Sequence, residues 1–214
     1  MKKLSLFSLV VALMIGFVAC DTPKKPKAPI AEKTIENLKA AITGESNASA
    51  KYMVFSQAAE AAGLVHIAKI FAAASEAEMI HVNNHQAVLK TLCVEAFEPV
   101  IEEHVADSDM AKNLETAIEG ETYEFTEMYP EFVRIATEEK VSDAVKSFIF
   151  AMKAEQGHAK QYQVVLDIFV ATNSDVTATE AWYVCPVCGE LTSNIEDNPI
   201  CPICGETADT FKKF

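Results

Sequence analysis

The sequence predicts a mainly α-helical chain, a four-helix bundle followed by a small metal-binding unit built on four cysteines. Between residues 31 and 172, apolar residues recur every three or four positions in long stretches, the period of a helix with one buried face. Near the C-terminus stand two C-P-x-C-G motifs, Cys185-Pro186-Val187-Cys188-Gly189 and Cys201-Pro202-Ile203-Cys204-Gly205, with 12 residues between Cys188 and Cys201. A third observation concerns chemistry: acids and histidines occupy positions in the helical stripes where apolar residues belong.

Length and charge bound the rest. A chain of 214 residues holds one sizeable core and a small satellite unit. Half of the residues are hydrophobic, and 18 basic against 31 acidic residues leave a net charge of −13. No basic stripe is present, which argues against nucleic acid as a partner. The acidity reads as a solvated helical surface.

Residues 1–20 read as a signal segment. Lys2 and Lys3 precede a 15-residue apolar run, Leu4 to Val18, shorter than a membrane-spanning helix usually needs. Ala19 before Cys20 resembles the end of a bacterial lipoprotein signal, although Phe17 stands where leucine is usual. That reading makes Cys20 the lipidated N-terminus of a membrane-anchored protein on the extracytoplasmic side. The alternatives are an uncleaved anchor, an ordinary signal peptide with an incidental Cys20, or a cytoplasmic protein. Residues 21–30, with three prolines and three lysines, suit an extended tether.

The bundle is expected over 31–172. The first helix, about 31–61, carries the stripe Ile35, Leu38, Ile42, Glu45, Ser49, Tyr52 and stops before Gly63. The second, about 64–92, carries Leu64, Ile67, Phe71, Ala74, Glu78, His81. Residues 94–110, with Pro99 and the run Asp107 to Asp109, form a long crossover. The third helix, about 111–137, contains Pro130, expected to kink it or break one hydrogen bond. The fourth, about 140–171, carries Ala144, Phe148, Ala151, Glu155, His158, Tyr162. A polar linker at 173–179 leads to the cysteine unit at 180–214.

Glu45, Glu78, His81, Glu121, Glu124, Glu155 and His158 therefore point inward. Unpaired carboxylates are very costly to bury, and several in one core call for cations. Carboxylate oxygen mixed with imidazole nitrogen suits iron or manganese. Glu78-Met79-Ile80-His81 and Glu155-Gln156-Gly157-His158 repeat E-x-x-H, whose ends share one helix face. Two such motifs plus single glutamates from two other helices, Glu45 and Glu121, form the di-iron or di-manganese pattern of ferritin-like bundles. His66 and His104 are expected to face solvent, and His85, four residues after His81, to be a satisfied or half-exposed histidine near the ligands.

Four thiolates at the knuckle spacing form a tetrahedral sulfur site suited to zinc or to one iron. Zinc would only brace the fold, whereas iron would carry single electrons to a neighbouring di-iron centre. Cys93 is expected as a small core hydrophobe.

Gly44-Glu45-Ser46, the two E-x-x-H motifs, Gly120-Glu121-Thr122-Tyr123-Glu124, Met128-Tyr129-Pro130 and the two knuckles together resemble the rubrerythrin family, a ferritin-like bundle with a C-terminal rubredoxin-like domain. The resemblance covers about 31–214 and implies a peroxidase that reduces hydrogen peroxide to water. By similarity, Glu78 and Glu155 bridge two irons, and Glu45, Glu121 and His158 are terminal ligands. One iron takes Glu124 when oxidised and His81 when reduced, and Tyr52 and Tyr129 hydrogen-bond near the ligands. The resemblance also implies electrons relayed through the four-cysteine iron from an NADH-linked reductase or a rubredoxin, crossing between subunits of a homodimer or larger assembly. The leader departs from a family mostly known as cytosolic. Two other classes remain open: an iron-sequestering ferritin-like protein with a structural zinc ribbon, and a helical interaction module.

Overall fold

The computed structural model describes residues 31–175, 181–196 and 199–214. The expected signal segment, Cys20 and the tether lie outside them, as does part of the 173–179 linker. Among the described residues, no helix is long and apolar enough to cross a membrane.

The helices are α1 (Glu32–Ala61), α2 (Val65–Thr91), α3 (Met110–Tyr123), α4 (Tyr129–Glu138) and α5 (Ser142–Thr172), with a π-helical turn, Glu124–Met128, joining α3 to α4. The expected third helix is thus α3, the π turn and α4 in succession. Pro130 falls in the first turn of α4, where a missing N–H costs little. The irregularity expected at Pro130 lies just upstream instead. A π turn inserts about one extra residue. Tyr129 therefore falls on the inward face of Glu121, although eight residues of regular helix would turn it away by about 80°.

Helix ends use two devices. After α1, α2 and α4 the chain turns through positive φ, at Gly63 (77°), Cys93 (59°) and Lys140 (61°). At each, the next N–H returns to the carbonyl three residues inside the helix: Leu64 to Ala59 (2.9 Å), Val94 to Leu89 (3.0 Å) and Val141 to Ala136 (2.9 Å). This is the Schellman closure. It corrects the expectation for Cys93, which is exposed rather than in the core. At the other ends, distant carboxylates supply missing caps. The Asp175 carboxylate accepts from His66 N (2.8 Å) and Ile67 N (2.9 Å) of α2. Glu139 accepts from Thr34 N of α1 at 2.8 Å.

The crossover, 94–109, carries no regular element. Two amide side chains hold it on the bundle. Asn47 Nδ2 donates to Val100 O (3.0 Å), and Asn47 Oδ1 accepts from Glu102 N (2.8 Å). Gln86 bonds both the N–H and the carbonyl of Phe97.

Two apolar clusters occupy the core. One gathers Tyr52, Phe55, Phe71, Leu114 and Tyr162, and the other Leu38, Ile42, Leu89, Tyr129 and Phe148. Each fully buried large side chain contributes about 1.5–3 kcal/mol, which offsets a polar centre between them. The cysteine unit is a small antiparallel sheet of β1 (Tyr183–Val184), β2 (Leu191–Thr192) and β3 (Lys212–Lys213) in the order β2-β1-β3. Tyr183 pairs with both Thr192 and Lys213. Trp182, Val184 and Leu191 join the first apolar cluster, so the unit packs on its own bundle.

Candidate metal centre

Each inward stripe delivers its acid to one level of the bundle. Glu45, Glu78, Glu121, Glu155, His81 and His158 are all buried. They form two groups, Glu45–Glu78–His81–Glu155 and Glu78–Glu121–Glu155–His158, each with ligand atoms within 4.8 Å of one another. Glu78 and Glu155 belong to both groups. His81 Nδ1 lies 2.8 Å from Glu155 and 3.0 Å from Glu78, and His158 Nδ1 lies 2.7 Å from Glu155. The two imidazoles stack with centroids 6.0 Å apart.

A second ring of side chains fixes the first. Tyr52 donates to Glu121 at 2.7 Å, and Tyr129 donates to Glu45. Behind Tyr129, His85 Nε2 lies 3.1 Å from its hydroxyl, and Ser147 Oγ lies 2.8 Å from His85 Nδ1. Because Tyr129 spends its proton on Glu45, His85 must donate through Nε2 and accept from Ser147 at Nδ1. His85 is fully buried and hydrogen-bonded at both ring nitrogens. Burial and the nearby charge of His81 push it down to about 3, so the ring stays neutral. Ser147 was missed in the sequence, where it reads as a small neighbour of Phe148. His66 and His104 are half-buried rather than solvent-facing.

The electrostatics test whether metal fits. Burial, and then the other acids, raise Glu45, Glu121 and Glu124 well above the usual carboxylate range. Burial opposes charge on His81, yet Glu155 and Glu78 lift it to about 10. Burial likewise opposes ionisation of Glu155, but His81 and His158 hold it below the usual range. Without metal, the protein must store protons among these groups. Glu45 Oε2, Glu78 Oε1, Glu121 Oε2, both Glu155 oxygens and His158 Nδ1 are buried without a well-directed hydrogen bond, the short approaches of the histidines to Glu155 being ion pairs only. Orphaned acceptors converging from four helical elements fit two cations, whose binding would release those protons.

Glu124 is the exception among the inward acids. It opens the π turn, is partly exposed and belongs to neither group. Its Oε1 lies 4.0 Å from the position a Cβ on Gly44 would take.

In the cysteine unit, Cys185 Sγ and Cys204 Sγ are 3.5 Å apart, as are Cys188 Sγ and Cys201 Sγ. That is near the ~3.7 Å edge of a tetrahedron with ~2.3 Å metal–sulfur bonds, and all four thiols are free. Each knuckle closes alike, with Gly189 N to Cys185 O and Gly205 N to Cys201 O at 3.0 Å. The Cys185 thiol, hydrogen-bonded by Cys188, falls to about 5. The first knuckle lies on the two histidines: His81 Nε2 is 3.0 Å from Cys188 O, and His158 Nε2 is 2.9 Å from Gly189 O. These carbonyls require N–H at both Nε2 atoms, which leaves each Nδ1 facing the carboxylates. Within the chain, the cysteine unit thus lies against the chain's own two histidines.

Fold and site together define a ferritin-like bundle protein with a buried carboxylate–histidine pair site and a four-cysteine site for a further metal. The matching family description is Rubrerythrin, over residues 36–166. Nigerythrin of Nitratidesulfovibrio vulgaris is 38% identical over 160 residues, 73% of this chain and 74% of its own length. Rubrerythrin-2 of Clostridium acetobutylicum is 34% identical over 169 residues, 78% of this chain and 90% of its own. The solved structure of fully reduced, all-ferrous nigerythrin superposes with a TM-score of 0.78 at 32% identity, covering 99% of this chain and all of that one. A bacterioferritin of Rhodobacter capsulatus shares the fold alone, with a TM-score of 0.60 at 23% identity over 65% of this chain and 86% of that one. The chain belongs to the rubrerythrin family.

Proposed function

We propose that the protein is a non-haem di-iron peroxidase that reduces hydrogen peroxide to water, H2O2 + 2e− + 2H+ giving 2H2O. The observation that carries this reading is a doubled ligand set sharing Glu78 and Glu155, with four thiols packed against its histidines. Two bound irons would supply the electron pair that cleaves the O–O bond. Glu78 and Glu155, which belong to both ligand groups, would be shared between the irons, and Glu45, Glu121 and His158 would each hold one. Tyr52 and Tyr129 orient Glu121 and Glu45 by donating to them. His81 stands within its ligand group and Glu124 outside it, so His81 would hold one iron in this arrangement, and Glu124 would take its place on oxidation. Cys185, Cys188, Cys201 and Cys204 would hold the iron that passes electrons inward from a rubredoxin or an NADH-linked reductase. The assembly is proposed as a homodimer or larger, and the leader as a lipid anchor at Cys20.

The anaerobic, iron-loaded protein should hold iron in both sites and consume peroxide with two electrons per molecule. Glu78→Ala or Glu155→Ala should collapse iron occupancy of the bundle, because repulsion between the cations would go less compensated. Glu124→Ala should keep the iron and slow turnover. Equal iron loss in all three variants would contradict the alternation. For the leader, Cys20→Ser should move the protein out of the membrane fraction, and wild-type protein found soluble with Met1 intact would remove the anchor.

A further inference from the structure

A buried cluster that meets a diffusing oxidant needs an entrance, and most sides of this one are closed. The histidine side is covered by the first knuckle, whose two carbonyls sit on His81 and His158. Between α1 and α2, Ser49 Oγ donates to Ser75 O and Ser75 Oγ to Ser49 O, both at 2.9 Å. That reciprocal clasp ties the two helices together along the wall of the outer groove. The two apolar clusters close the directions along the bundle axis. The α1–α3 seam differs. Gly44, Lys51, Gly120 and Glu124, which line it, are all partly exposed, although Glu45, Tyr52 and Glu121 beside them are buried.

The seam also has an approach. A cavity of about 480 Å³ lies beneath the crossover, lined by Lys51, Phe55, His104, Lys112 and Thr116 among others. Thr116 and Gly120 of α3 and Glu124 at the start of the π turn follow at four-residue steps, so one helix face leads from this cavity to the cluster. Lys51 stands between the two, its ammonium 5.3 Å from the centroid of the Tyr52 ring. A Cβ on Gly120 would lie 3.8 Å from both Lys51 Nζ and Tyr52 Oη. Gly120 therefore leaves room for about a methyl group between Lys51, which lines the cavity, and a tyrosine that is hydrogen-bonded to Glu121.

We propose that small ligands, peroxide among them, reach the cluster along the α1–α3 seam, from the vestibule under the crossover through a neck at Gly120 that Lys51 borders. For peroxide the inference rests on the peroxidase reading above; for the entrance itself it does not. Gly120 lies within regular helix, where leucine is the better helix former, so Gly120→Leu should fill the neck without unfolding α3. Thr116→Trp would obstruct the vestibule one turn farther from the ligands. Ala50→Leu, in the groove between α1 and α2, is the control.

The test measures azide association with the oxidised, iron-loaded protein by stopped-flow absorbance, beside iron content and peroxide kinetics. Gly120→Leu and Thr116→Trp should retain iron while the azide association rate falls at least about tenfold. Peroxide kcat/KM should fall in parallel and kcat by less, with Ala50→Leu matching wild type. Wild-type azide rates in an iron-replete Gly120→Leu, or in Thr116→Trp should Gly120→Leu lose its iron, would overturn the entrance. Slowed azide entry in a protein whose wild type takes no peroxide would uphold the entrance and remove the peroxidase reading.

Discussion

His85 carries no charge in a centre crowded with charges, and its neutral ring can donate to Tyr129 through Nε2 while accepting from Ser147 at Nδ1. A protonated ring would present N–H to Ser147 as well as to Tyr129 and lose its acceptor. The sign of the pH effect follows. The folded value of about 3 lies below the ordinary 6.5 of the unfolded chain, so below pH 6.5 the unfolded state binds a proton that the folded state refuses. The stability from a neutral His85 is fully present above pH 6.5 and is lost as pH falls toward 3. In metal-free protein, His85→Gln should flatten the stability profile between pH 6 and 4 by about 1.4 kcal/mol per pH unit relative to wild type. Denaturant titrations across that range measure the difference, in which the common carboxylates cancel. Parallel profiles would mean that His85 is already protonated in the fold. The sequence placed His85 on the right stripe through its spacing from His81. It could not reveal the chain to Tyr129 and Ser147, because that depends on how the π turn rotates Tyr129 inward.

The legible parts among the helices were those where local chemistry and tertiary role agree. Gly63 ends α1 at a positive φ that glycine adopts without strain, so that boundary could be read directly. Cys93 and Lys140 make the same turn without glycine, and Cys93 consequently resembled a core residue. The inward acids stood out because they interrupt an apolar rhythm. The π turn did not, since proline at 130 marks a helix beginning as readily as a helix breaking. Neither α1 nor α2 has a side-chain cap from its own N-cap residue, Ala31 or Leu64. The caps come from Glu139 and Asp175, more than a hundred residues away, beyond the reach of local pattern. Asp175→Ala leaves two N–H groups of α2 without their acceptor and should lower stability by about 1 kcal/mol, within the usual 0.5–2 kcal/mol for a lost cap. Thermal unfolding of the metal-free protein checks this, and an unchanged midpoint would show that water replaces the carboxylate at no cost.

At the scale of the whole molecule, one glycine governs how the cysteine unit meets the bundle. Gly189 has φ of 78°, and an added Cβ would stand 2.3 Å from His81 Nε2 and 3.1 Å from Ala77 O. No side chain fits there while Cys188 O and Gly189 O rest on the histidines. Gly205, at the equivalent place in the second knuckle with φ of 81°, has no atom within 4 Å of such a Cβ. The two positions share backbone strain, about 1–2 kcal/mol for a non-glycine residue, and differ in contact with the bundle. Comparing them separates knuckle stability from docking. Gly189→Ala should lift the unit while leaving its four sulfurs able to hold metal, whereas Gly205→Ala should strain the unit in place. Trp182, the chain's single tryptophan, is buried against the bundle core and reports the difference. In protein with zinc at the cysteines, so that iron does not quench the signal, Gly189→Ala should shift Trp182 emission to the red and Gly205→Ala should not. Loaded with iron, Gly189→Ala should keep the thiolate–iron absorption and, on the relay proposed above, lose most of its peroxide turnover. A Gly189→Ala protein with native emission and native turnover would mean that the contact between the carbonyls and the histidines does not set the position of the unit.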